Sequence, residues 1–236
     1  MTDTIAENLR TLRGELAAAA ERAGRDAGSV KLLAVSKTHP VATVQRAVAA
    51  GQRAFGENYV QEAVEKIAAL AQDPAMPVLE WHFIGHLQSN KSRAVAEHFD
   101  WLQTLDSERL AARLSRQRPP EKPPLNVLIE VNISGEASKH GVTPAESAAL
   151  AAAVADLPGL KLRGLMAIPA AVESEARQRE AFAALRTLQQ ALIDAGHALD
   201  TLSMGMSGDY PAAIAEGVTM VRIGTAIFGP RQPRPD

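Results

Sequence analysis

The chain contains no cysteine, which excludes a disulfide framework, a thiolate nucleophile and any cysteine-ligated metal. Neither sign of charge dominates: 25 basic and 27 acidic residues give a formal net charge of −2. No basic footprint is therefore present for nucleic acid or anionic lipid, and neither is expected as a partner. No apolar run is long enough to span a bilayer. The opening stretch MTDTIAENLRTLRGEL is charged and amphipathic, without the basic–apolar–small order of a secretory signal. These absences point to a cytoplasmic protein. What remains is ordinary globular material, 46% hydrophobic and 22% charged over 236 residues, enough for one α/β barrel or two smaller domains.

Helix-like and strand-like segments alternate along the chain. Ile5, Leu9, Leu12, Leu16 and Ala20 recur at helical spacing and predict an opening amphipathic helix. KLLAVSK then reads as a strand, short, apolar on both faces and followed by a proline. RAFGE, LEWHFIG, DWLQTL, LNVLIEV, LKLRGLMAI, ALDTLSM and VTMVRIG supply the further strands. Helical patterns lie between most of them, among them VATVQRAVAAG, YVQEAVEKIAALA, ESAALAAAVADL and RQREAFAALRTLQQALIDAG. Eight strands with intervening helices predict an α/β fold, a single (β/α)8 TIM barrel with an extra N-terminal helix, spanning residues 1–230. A doubly wound open sheet usually carries a glycine-rich turn after its first strand, and KLLAVSK is followed by none. The proline-rich RPPEKPPL reads as a helix-to-strand loop rather than a domain boundary, and residues 231–236 as a frayed tail.

In a barrel of this kind functional groups gather where strands end. Side chains alternate along a strand, so Leu33, Val35 and Lys37 share one face. If that face points inward, Lys37 stands at the barrel mouth. Two readings stay open: a lysine snorkelling into water, or a desolvated amine able to form a Schiff base with a carbonyl. The seventh strand runs into SMGMSGDYPAAIAEG, where small residues and hydroxyls lead directly into a helix, a setting suited to an anion. A turn with Ser207 as helix cap is the plainer alternative. RIGTAIFG adds Gly224 and Thr225 after the eighth strand. GMSGD has Asp209 where a nucleophile elbow needs its last glycine, which argues against a serine hydrolase. Arg222, inside VTMVRIG, needs a buried acceptor: a structural carboxylate or a ligand atom. Asn58 can hydrogen-bond a ligand or, more commonly, cap the next helix. His82 and His86 are four apart, but Gly85 suggests strand and turn, and no third ligand is evident, so no metal site is expected.

At these residues the chain resembles the pyridoxal-phosphate homeostasis proteins, also called proline synthetase co-transcribed homologs. WHFIGHLQSNKSRAV carries the resemblance most specifically. AVSKTHP, FGENYVQE, SGEASKHG, GLMAIP, LSMGMSGDY and VRIGTAIFG follow the family's blocks in order. The resemblance implies a barrel like the N-terminal domain of alanine racemase, with pyridoxal 5′-phosphate bound covalently on Lys37. It implies that Ser207, Gly224 and Thr225 hold the phosphate, that Arg222 faces the pyridine nitrogen, and that Asn58 lies beside the ring. Ser203, Val35, Ile84, Met166 and Met206 are implied as lining. An arginine at the ring nitrogen disfavours its protonation and makes the ring a poorer electron sink. Alanine racemases also use a tyrosine from a second domain of a partner subunit, and only Tyr59 and Tyr210 occur here. No catalytic residue is therefore assigned. The expected function is holding the cofactor and delivering it to transient apo-enzyme recipients, in vitamin B6 homeostasis, by a monomer or weak dimer. An amino-acid racemase is the alternative.

Overall fold

Short apolar runs bounded by turn residues are stable as strands only when both faces are covered, and a ring of helices around a closed sheet provides that. The computed structural model describes residues 4–136, 139–170, 172 and 174–230. Its elements are α1 (Thr4–Arg22), β1 (Lys31–Val35), α2 (Val41–Ala49), β2 (Ala54–Glu57), α3 (Val60–Ala71), β3 (Glu80–Phe83), α4 (Ser92–His98), β4 (Trp101–Leu105), α5 (Glu108–Gln117) and β5 (Leu125–Glu130). There follow α6 (Ser147–Ala155), β6 (Leu160–Met166), α7 (Glu175–Asp194), β7 (Thr201–Ser203), α8 (Tyr210–Ala215), β8 (Met220–Ile223) and α9 (Thr225–Phe228). The eight strands form a closed barrel in chain order. It closes where β1 pairs in parallel with β8, setting Leu33 beside Arg222 and Ala34 beside Ile223. The expected (β/α)8 barrel with its extra N-terminal helix is the observed fold.

Alternation along the strands sorts the core into two shells. Leu33, Ala54, Ile84 and Met220 meet inside the barrel with Val35 against them, as do Trp101, Leu128 and Met166. Leu32 and Ala34 instead belong to the larger shell between sheet and helices. The predicted stripe of α1 is buried at Ile5, Leu9, Leu12, Leu16 and Ala20, and packs it against α2, α8 and α9. RPPEKPPL is the loop joining α5 to β5. The sequence pattern does not single out α5, whose buried residues are Leu110, Ala111 and Leu114. Its start is marked by Ser107, whose hydroxyl accepts from the Leu110 amide. No helix among the described residues is long and apolar enough to cross a membrane. The tail, residues 231–236, and Ala137 and Ser138 of the SGEASKHG block lie outside the described residues.

Candidate functional site

The turn after β1 is held from behind by a buried ionic cluster. Lys66, on α3, is 4% exposed, and its Nζ donates to the Ser36 carbonyl (2.8 Å), Glu57 Oε1 (2.9 Å) and Glu62 Oε1 (2.7 Å). Three donated bonds use all three hydrogens of an ammonium group. Ser36 Oγ also donates to Glu57 Oε1 (2.7 Å), and the Thr38 amide to Glu62 Oε1 (2.6 Å). Burial raises the Glu57 carboxyl, and the Lys66 charge opposes that. The residues on either side of Lys37 are thus pinned: Ser36 by its carbonyl and Thr38 by its amide. Thr38 has φ +66°, the only positive φ at a non-glycine among the described residues. That conformation costs a β-branched residue on the order of 1–3 kcal/mol and persists where surrounding bonds impose it.

Lys37 lines a cavity of about 280 Å³ at the C-terminal mouth of the barrel. The same cavity receives Val35, Asn58, Ile84, Met206, Ser207, Arg222, Gly224 and Thr225. These come from the ends of β1, β2, β3, β7 and β8. Asn58 does not cap α3, since Tyr59 holds that position without a side-chain bond. Its Oδ1 is buried without a hydrogen-bond partner, an acceptor facing a cavity and left for whatever enters it. Nor does Ser207 cap α8, whose cap position is Asp209. The Asp209 carboxylate turns back onto the Met206 amide (2.6 Å). The amides of Ser207 and Gly208 have no protein acceptor among the described residues. Gly205 makes the turn possible at φ +84°, where a Cβ would stand 2.7 Å from that of Ala213.

Arg222 is 5% exposed. Its Nη1 donates to Ser203 Oγ (2.7 Å) and its Nη2 to the Ala167 carbonyl (3.0 Å). Its acceptors are therefore a hydroxyl and a carbonyl, and no carboxylate among the described residues lies within ion-pair distance. Burial lowers its pKa to about 10, against the opposing charges of Asp209 and Glu130, so it stays charged at neutral pH.

Two expected lining residues lie elsewhere. Ser203 is fully buried one layer below, between Arg222 and Gln103 Oε1 (2.7 Å). Met166 packs with Trp101 and Leu128 inside the barrel. The family resemblance implies both as lining, but it says nothing of how deep each sits. Sequence reasoning missed His39, Ile168, Gly208 and Gly229, which also line the cavity. His39, two residues past Lys37, carried a readable signal; Ile168 and Gly229 carried none.

A second group of polar residues lies around β3 to β5. The His86 ring stacks on His140 at 4.1 Å, and His86 Nδ1 is 3.9 Å from Asp106. Glu130 is buried with Oε2 unpartnered. His82 lies inside the barrel against Trp101, not beside His86. No group of three His, Asp or Glu among the described residues is arranged to hold a metal ion.

The model of the family described as alanine racemase, N-terminal domain, matches residues 2–232. The chain is 57% identical to the pyridoxal phosphate homeostasis protein of Pseudomonas aeruginosa, over 97% of this chain and 96% of the relative. It is 57% identical to the protein of that name from Escherichia coli K12, over 96% and 97% of the two chains. PipY of Synechococcus elongatus, solved with PLP bound, superposes with a TM-score of 0.83 at 41% identity, over 95% of this chain and 100% of that one.

Proposed function

The chain belongs to the pyridoxal phosphate homeostasis protein family, built on the alanine racemase N-terminal domain, and from that premise we propose that it binds pyridoxal 5′-phosphate at the barrel mouth. The observation that carries the reading is convergence. A lysine, a buried arginine, an orphaned amide oxygen and two unpaired backbone amides all face one cavity. These donors and acceptors suit a phosphorylated pyridine aldehyde. Lys37 is the covalent anchor, Ser207, Gly208, Gly224 and Thr225 hold the phosphate, Arg222 meets the ring nitrogen, and Asn58 borders the ring. When bound, the cofactor would supply an aldehyde able to condense with the Lys37 amine with loss of one water. The protein's part is to hold that amine at a fixed place, to donate to the anion, and to keep a charged guanidinium against the ring.

The biological role that follows is storage and delivery of a reactive aldehyde. Tyr59 is absent from the cavity lining, as is Tyr210, whose hydroxyl donates to Glu15 (2.9 Å). Neither stands where a second acid/base would. A racemase reading is favoured by one observation, His39 in the lining, and exchange of Cα protons of amino acids with deuterated water would decide it. Turnover well above that of the free cofactor, lost in His39→Gln, would favour the enzyme.

The primary reading is tested by the visible absorbance of protein mixed with pyridoxal phosphate, before and after borohydride. We expect a Schiff-base band, absent in Lys37→Ala, and a reduced adduct mapping to the peptide that holds Lys37. An adduct on Lys31 or Lys139, or equal binding by Lys37→Ala, would overturn the assignment.

A further inference from the structure

Below Arg222 a chain of hydrogen bonds crosses the barrel interior from the cavity to the opposite end. Arg222 donates to Ser203 Oγ (2.7 Å), and Ser203 donates to Gln103 Oε1 (2.7 Å). Gln103 Nε2 contacts His82 Nδ1 (2.9 Å) and Met220 Sδ (3.1 Å). His82 Nε2 bonds to Glu80 Oε1, to which Lys31 Nζ also donates. Lys31 and Glu80 are the first residues of β1 and β3, at the end of the barrel away from the cavity. Ser203, Gln103 and His82 are each 0% exposed.

The direction of every bond follows by elimination. A guanidinium only donates, so Ser203 must accept from Arg222 and pass its single hydrogen to Gln103 oxygen. That orients the Gln103 amide nitrogen toward His82 and the weak sulfur acceptor of Met220. His82 Nδ1 must then accept, which leaves the ring hydrogen on Nε2, pointing at the Glu80 carboxylate. Burial lowers the pKa of the imidazole, favouring this neutral form. Burial alone would raise the Glu80 carboxyl, but its bonds with His82 and Lys31 hold it below the usual range.

We propose that Ser203, Gln103, His82 and Glu80 form a one-way hydrogen-bond relay that positions the Arg222 guanidinium from behind. They are positioning residues, acting on the cavity through Arg222. Ser203 has no other hydrogen-bond partner for its hydroxyl among the described residues, so its orientation depends on Gln103, and Ser203 and the Ala167 carbonyl together set the guanidinium plane. The relay's effect on cofactor rests on the proposed pyridoxal phosphate reading; its polarity does not.

Two measurements test it. In ligand-free protein labelled with 15N-histidine, the His82 ring, assigned by its contacts with Trp101, is expected neutral with hydrogen on Nε2 and a bare Nδ1 at pH 7. Hydrogen on Nδ1, or an imidazolium, would overturn the relay. In Gln103→Met, of similar volume, Ser203 loses its acceptor and His82 its donor. Folded Gln103→Met should release pyridoxal phosphate roughly tenfold faster on dilution, the scale of one lost buried bond, with a displaced visible band. A release rate and band equal to wild type would count against positioning. If that variant fails to fold, the tautomer in the wild-type protein decides. If the wild-type protein shows no bound cofactor, the functional reading fails while the tautomer still judges the relay.

Discussion

Glu130 shows how much one inward-facing side chain can do. It is buried at the end of β5, and its carboxyl is pushed up to about 7 by burial, with Asp106 adding and Arg222 opposing. An unfolded glutamate titrates near 4.3. Between those values the folded protein holds a proton that the unfolded chain has lost, so stability falls as pH rises through that window. The effect is on the order of 3 kcal/mol. Glu130→Gln should match wild type near pH 4.5 and exceed it at pH 8 in urea midpoint; an unchanged slope between those pH values would refute this. Legibility at this scale was uneven. Lys37 could be found because an ionisable residue ended an apolar strand. Asn58 was readable only as cap or ligand contact, and which one holds depends on how the chain turns into α3. Glu130 sits in the same apolar frame as Lys37, within LNVLIEV, but its burial depends on residues from other strands.

At the scale of elements, the joint between β1, β2 and α3 carries a buried ionic cluster. Lys66 holds two carboxylates and one carbonyl. Lys66→Met would leave Glu57 buried without its partner charge, a loss of about 3–5 kcal/mol by urea denaturation. Adding Glu57→Gln removes the stranded charge and should recover a good part of that loss. Equal instability of single and double variants would show that the cost lies in packing. The helical spacing of YVQEAVEKIAALA gives Lys66 as a helix residue, yet charged helix residues usually face water. Its burial becomes visible only when Glu57, at the end of β2, is set beside it. The strands themselves were legible for the opposite reason: each is a short apolar run ended by turn residues. Where the runs overshot, as in LKLRGLMAI, the excess residues became the mouth loops.

Over the whole molecule, the order β1 to β8 follows from the alternation of segments, because right-handed crossovers leave few other arrangements. The relay across the interior does not, since Lys31, Glu80, Gln103, Ser203 and Arg222 belong to five strands whose relative heights depend on barrel stagger. Closure joins β1 to β8, so amides in those two strands should lose protection from hydrogen exchange together. Ligand at a hundred times its dissociation constant should add about 2.7 kcal/mol to both. Independent opening of β8 would contradict a single closed unit.

The pairing of the first strand with the last has a consequence for synthesis. Lys37 is made with the first strand, and Arg222, Gly224 and Thr225 come only with the last strand of the barrel and the turn after it. Until β8 docks beside β1, the nascent polypeptide presents an ordinary lysine with no anion cradle and no guanidinium opposite. Vitamin B6 taken up in the proposed manner would therefore be withheld from unfinished chains, and its arrival would mark a finished ring.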